Sequence, residues 1–168
     1  PSSTLLVVGT PIFNKDEVYL EKLKETARDL GIENRVKFLG SRRDVAAVMQ
    51  TLDLLVINSK SEALVLVAIE AMACGTPIIA TDVGGTAEII KHRKNGWLVP
   101  FGDERALSEA VVTMSREPEL RRLFADESKK YVTAHLGAEQ FIKKVESFYQ
   151  LCARPAVEPT AGRLAVEN

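Results

Sequence analysis

Short unbroken aliphatic runs alternate along the chain with longer segments in which apolar residues recur at every third or fourth position. Thr4 to Val8 reads as a strand buried on both faces and ends at Gly9. Lys15 to Leu30 carries Val18, Leu20, Leu23, Ala27 and Leu30 at helical spacing, and Gly31 closes that helix. A second strand is expected at Val36 to Leu39 before Gly40, and Val45, Val48 and Met49 mark a short helix ahead of a third strand, Leu54 to Ile57. The alternation continues through a helix at Leu66 to Ala73, a strand at Ile78 to Thr81, a short helix around Ala87 to Ile90 and a strand at Trp97 to Val99. Such a pattern predicts an α/β fold, a Rossmann-like parallel sheet with helices on both faces. From Asp103 onward only helical spacing remains, predicting helices at Glu104 to Met114, Pro118 to Val132 and Ala138 to Cys152. One domain over 1–153 follows, with 154–168, which holds Pro155, Pro159 and Gly162, expected as a disordered tail or linker.

Composition narrows what such a fold would do. The 168 residues are 46% hydrophobic but only 6% aromatic, enough for one core of mostly aliphatic side chains. With 22 basic and 23 acidic residues the formal charge is -1, so no global field draws the chain to nucleic acid or an anionic membrane, and any bound anion needs a local site. Cys74 and Cys152 are far apart and outside any Cys/His cluster, which argues against a zinc site or a disulfide framework and for a reducing compartment. No run approaches membrane-spanning length, and the opening PSSTLLVVG lacks a basic segment before its apolar stretch, so a soluble, cytoplasmic chain is expected.

In an open parallel sheet, ligands bind beyond the carboxyl ends of the strands. Gly9-Thr10-Pro11 and Gly40-Ser41 occupy such positions, each with a glycine where backbone can approach a ligand, or where an ordinary turn needs one. Neither a GxGxxG fingerprint nor a GxxxxGK[ST] loop occurs. More informative is Asn58-Ser59-Lys60-Ser61-Glu62, which leads into an apolar helix containing Glu70. A helix start there presents free N–H groups and a positive dipole end to an anion such as a pyrophosphate. Eight residues of helix would separate Glu62 from Glu70 by about 12 Å, too far for a glycosidase carboxylate pair but suited to holding two ends of one extended ligand. Because Ile69, Ala71, Met72 and Ala73 surround Glu70, its carboxylate is expected to be buried and to require a hydroxyl-rich partner; a solvated helix glutamate is the alternative. Glu62 reads equally as a loop charge that favours the helix dipole, and Lys60 as a solvated loop lysine. His92, within Lys91 to Lys94, and His135 read as surface or packing residues rather than bases.

The stretch EALVLVAIEAMACGTPIIATDVGG, from Glu62 to Gly85, closely resembles the Glu-x7-Glu signature of GT-B glycosyltransferases, in particular family 4, the group 1 type. The likeness extends through TAEII and NGWLV to Asp103, and back through DLLVINS, RVKFLG and VVGT. It implies the C-terminal, donor-binding half of a retaining glycosyltransferase that passes a sugar from a nucleoside diphosphate sugar, UDP ranked ahead of GDP, to a glycan, lipid or small-molecule acceptor. By position, the resemblance assigns Glu70 to the ribose hydroxyls and Glu62 to the donor sugar and the reacting centre. It sets Leu64, Val65, Leu66 and Val67 at the sugar and phosphates, Phe38, Leu39 and Gly40 beside the base, and Gly9 at the interdomain cleft. Lys60 would add charge near the phosphates. ATDVGG, Glu88 and Gly96 are expected to be scaffold.

The resemblance further implies no metal and no cofactor beyond the nucleotide sugar as co-substrate, and the near-neutral charge argues against a nucleic-acid partner. An N-terminal acceptor-binding domain of the same parent chain would complete the reaction, and any peripheral membrane association would run through it. Two features depart from the family pattern. Ala63-Leu64-Val65 stands where many members have Gly-Phe-Gly, and the chain begins past the Arg and Lys that neutralise the pyrophosphate in the family. A non-hydrolysing nucleotide-sugar epimerase of the same fold, or an inactive nucleotide-binding or interaction module, are the competing readings.

Overall fold

A computed structural model of the chain describes residues 3–11 and 14–153. The chain divides into two compact units at Thr51 and Leu52, and the domain expected over 1–153 spans both. The expectation for the tail from Arg154 to Asn168 lies outside the described residues.

The first unit runs β1 (Leu5–Val8), α1 (Asn14–Asp29), a single 3-10 turn (Glu33–Arg35), β2 (Val36–Gly40) and α2 (Val45–Thr51). The two strands are parallel, from Leu5 opposite Val36 to Val8 opposite Gly40, with a slip between Val7 and Val8. Parallel neighbours need a long crossover, which α1 provides. Gly31, at φ 64°, ends α1 by donating to Arg28, while Ile32 donates to Ala27, the paired bonds of a left-handed C-cap. Ala27 and Met49 are buried here. Leu5 and Val8, however, are 56% and 42% exposed, against the expectation of a strand buried on both faces. The two are the end residues of a four-residue strand in a two-stranded ladder, where packing neighbours are fewest.

The second unit contains β3 (Leu55–Ile57), α3 (Leu66–Cys74), β4 (Ile78–Thr81), α4 (Thr86–Ile89), β5 (Trp97–Val99), α5 (Glu104–Arg116), α6 (Pro118–His135) and α7 (Ala138–Cys152). Its strands form a parallel ladder in the order β3-β4-β5, Ile57 facing Ala80 and Ala80 facing Leu98. Every residue of the central β4 is buried, as an IIAT run with partners on both edges should be. One core joins Ile79 and Val99 to Ala110 and Met114 of α5 and Phe124 of α6. Burying each of the four larger side chains among them stabilises the fold by roughly 1.5–3 kcal/mol.

Helix ends in this unit are fixed locally. Asp103 caps α5 by accepting from the Ala106 N–H at 2.8 Å, and Pro118 opens α6. The Arg121 guanidinium donates to the Met114 and Ser115 carbonyls, closing the C-terminus of α5. α3 packs on α6 and β4 through Ala68, Ala71 and Met72, whose small or flexible side chains permit close approach. Below that contact, buried Asn95 accepts from the Lys91 N–H and donates to the Ile89 carbonyl, and its own carbonyl accepts from buried Ser128 of α6. By contrast, α7 buries none of its residues and leaves Phe141, Ile142 and Phe148 exposed. Among the described residues no helix is long and apolar enough to cross a membrane. Parallel ladders flanked by helices, followed by C-terminal helices, are thus the fold the hydrophobic pattern predicts.

Candidate functional site

At the carboxyl edge of the second unit's ladder, the exit from β3 is tied down by β4. The last residue of β4, Thr81, donates through its hydroxyl to the Ser59 carbonyl at 2.6 Å and more weakly to Ile57 at 3.4 Å. Ser59 in turn donates its hydroxyl to Glu62 Oε1 at 2.5 Å. The Gly85 N–H donates to the Glu62 carbonyl at 3.2 Å. Here glycine is a steric requirement: a Cβ on Gly84, which sits at φ +51°, would lie 1.7 Å from the Glu62 carbonyl oxygen, and one on Gly85 would lie 2.5 Å from that of Ala63. Two glycines of the β4–α4 loop therefore form a floor under the Glu62-Ala63 backbone.

From that floor the chain turns into α3. The Leu66 N–H bonds back to Leu64, and those of Ala68 and Ile69 bond to Val65. Val65, the residue before the helix, gives no side-chain cap, and the first turn of α3 holds no acidic residue. This helix start has neither a side-chain capping oxygen nor a first-turn carboxylate to neutralise its dipole. Around it Leu64, Leu66 and Val67 are exposed while Val65 is buried, and Lys60 is exposed on the approach. Val65 lies at φ -83°, and Arg93 is the one non-glycine at positive φ among the described residues. The backbone of Ala63-Leu64-Val65 thus makes no demand for glycine.

Glu62 is half-buried. Glu70 is not buried: it is exposed, correcting the expectation drawn from its apolar neighbours. The cause is helical geometry, since Ala68, Ala71 and Met72 take the inner face at i, i+3 and i+4 and leave Glu70 on the outer side with Leu66 and Val67. The helix also begins at Leu66, so the Glu62–Glu70 segment is half loop and half helix.

The remaining candidates lie in the first unit. There the Gly9 N–H donates to the Gly40 carbonyl at 2.9 Å, and both glycines have positive φ, 134° and 65°. Leu39 is exposed, and half-buried Phe38 has the Lys24 ammonium 5.9 Å from its ring centre. The candidate set accordingly divides between the units, with Lys60, Glu62, Leu64 to Val67 and Glu70 gathered on the β3–α3 segment.

The basic stretch is a folded turn. Arg93, at φ 57°, places its guanidinium 4.2 Å from the Trp97 ring centre, and His92 accepts from the Leu98 N–H through Nδ1. His135 packs on Tyr131 at 4.8 Å. The ion pairs Glu21–Lys24, Asp44–Arg42 and Glu127–Lys130 lie on the surface, where the partner's hydrogen bond holds each carboxyl below its ordinary range. Among the described residues no cluster of His, Cys, Asp or Glu has metal-binding geometry. Sequence reasoning missed Ser59 and Thr81 and treated Gly84-Gly85 as scaffold without a target. The one available signal was a glycine pair that follows the end of a strand after two intervening residues.

A family model described as "Glycosyl transferases group 1" matches residues 1–131. The chain belongs to that family. Among its curated relatives, N-acetyl-alpha-D-glucosaminyl L-malate synthase of Bacillus anthracis is 34% identical over 125 residues, covering 74% of this chain and 33% of that protein. The chain thus spans about a third of the length of such a relative. Among solved structures, the Anabaena protein Alr3699/HepE in complex with UDP is 28% identical with a TM-score of 0.85, over 90% of this chain and 42% of that one. The same protein has been solved with UDP-glucose, and matches with a TM-score of 0.83. A structure of the C-terminal domain of a glycosyl transferase group 1 family protein, LpcC from Francisella tularensis, is 26% identical with a TM-score of 0.73, covering 80% of this chain and 70% of that domain. These neighbours and the parallel ladders place the chain in the GT-B fold.

Proposed function

We propose that this chain is the donor-binding half of a retaining glycosyltransferase that uses a nucleoside diphosphate sugar, with UDP preferred to GDP. The observation that carries the reading is the start of α3, without a side-chain cap or a first-turn acid and flanked by Glu62 before it and Glu70 after it. The positive dipole end of α3, which no side chain of its own first turn neutralises, suits a diphosphate. Glu70, exposed on the outer face of α3, accepts from ribose hydroxyls, and Glu62 accepts from a hydroxyl of the donor sugar. As the bond to the diphosphate breaks, negative charge grows on the leaving oxygen, and the fixed helix dipole stabilises it without reorganisation. The acceptor hydroxyl oxygen bonds to the anomeric carbon on the same front face that the diphosphate leaves and passes its proton to the departing diphosphate oxygen, and the transfer needs no divalent ion. The preference for UDP draws on the likeness to the Anabaena protein, solved with UDP and with UDP-glucose. The acceptor is supplied by an N-terminal domain of a longer parent protein, through which any membrane association would also run, and the fragment alone transfers little or no sugar.

One alternative has an observation in its favour. Ala63-Leu64-Val65 replaces Gly-Phe-Gly, which would suit an inert nucleotide-binding module. The backbone there needs no glycine, and both glutamates are present, which favours the active reading. Calorimetric titration with UDP, UDP-glucose, GDP and GDP-mannose separates the cases. UDP and its sugar should bind with measurable heat and GDP more weakly. A chain that takes up none of the four is no donor domain.

A further inference from the structure

Four groups outside the Glu-x7-Glu positions converge on the Ser59–Glu62 turn. Thr81 holds the Ser59 carbonyl from β4, Gly85 holds the Glu62 carbonyl, and Gly84 admits that carbonyl only because it has no side chain. The Ser59–Glu62 turn is therefore clamped by its main chain at both ends, and the remaining freedom lies in the Glu62 side chain. The Ser59 hydroxyl removes it by donating to Oε1 at 2.5 Å. We infer that Ser59 is a positioning residue that fixes the Glu62 carboxylate, with Oε2 turned to a donor-sugar hydroxyl. This inference rests on the donor-site reading above.

A carboxylate that is already oriented loses less rotamer freedom when a sugar hydroxyl binds. The benefit belongs to the sugar half of the donor and not to UDP, so the diagnostic quantity is the ratio of the UDP and UDP-glucose dissociation constants. Ser59→Ala should shift that ratio against UDP-glucose by roughly tenfold, the usual worth of a hydrogen bond to a charged group, and leave UDP affinity unchanged. Ser59→Thr, which keeps the hydroxyl, should restore the ratio. Glu62→Ala should abolish the sugar's advantage, and Ser59→Ala added to it should cost nothing more, because one residue acts through the other. A ratio untouched by Ser59→Ala, or two losses that add in full, would overturn the inference.

Failure of the donor-site reading looks different, since the unaltered chain would then bind no UDP. In that event the ligand-free 13C resonance of Glu62 Cδ still decides the positioning. It should move in Ser59→Ala and hold in Ser59→Thr, and an unmoved resonance would overturn the assignment.

Discussion

At the scale of single residues, Glu62 and Glu70 differ in how they are held, and the difference sets what a substitution does. Glu62 is held by a hydroxyl and rests on a backbone floor, whereas Glu70 stands exposed on α3 with no structural task of its own. Glu70→Ala should therefore change stability by no more than about 0.5 kcal/mol, as exposed substitutions do. It should weaken UDP binding roughly 10- to 100-fold, the loss of charge-assisted hydrogen bonds to the ribose. Paired thermal melts and calorimetric titrations check both halves, and unchanged affinity would favour the inert module. The spacing of the two acids was legible in the sequence, and so was the helix that carries the second. The exposure of Glu70 was not, because Ile69, Ala71, Met72 and Ala73 make the helix look apolar all round. Alanine and methionine inside and Leu66 and Val67 outside are equally hydrophobic letters, and which of them faces inward depends on what packs there.

Elements explain why the site segment keeps its shape. Strand limits could be read almost to the residue where aliphatic runs end at glycine or threonine, as at Val36–Gly40 and Ile78–Thr81. The β4–α4 loop was less legible, because its task is a contact with residues some twenty positions earlier in the chain, and no periodicity reports that. Its glycines permit a sharp comparison. Gly84 and Gly102 both have positive φ, but a Cβ on Gly84 would strike the Glu62 carbonyl at 1.7 Å while one on Gly102 meets nothing within 4 Å. Gly102→Ala should cost about 1 kcal/mol, the strain of a left-handed alanine. Gly84→Ala adds displacement of the Glu62 loop and should cost about 2–4 kcal/mol, with weaker UDP-glucose binding than Gly102→Ala shows. Chemical denaturation of the two variants measures the gap, and equal losses would mean that the loop does not rest on Gly84.

For the whole molecule, the alternation of strands and helices fixed the α/β class, and the family match covers residues 1–131. The exposure of Leu5 and Val8 could not be foreseen from an aliphatic run, since it depends on how many neighbours a strand acquires. Likewise, the amphipathic spacing of α7 predicted its helix but not that its apolar residues stay uncovered in the described structure. Because the chain spans about a third of the length of such a relative, the proposed donor binding at the start of α3, rather than transfer, is the property to test. Amide chemical-shift mapping of the 15N-labelled chain during titration with UDP tests it most directly. The largest changes should fall on the Leu66, Val67, Ala68 and Glu70 amides; changes confined to α5, α6 or α7, with the α3 start unmoved, would contradict it.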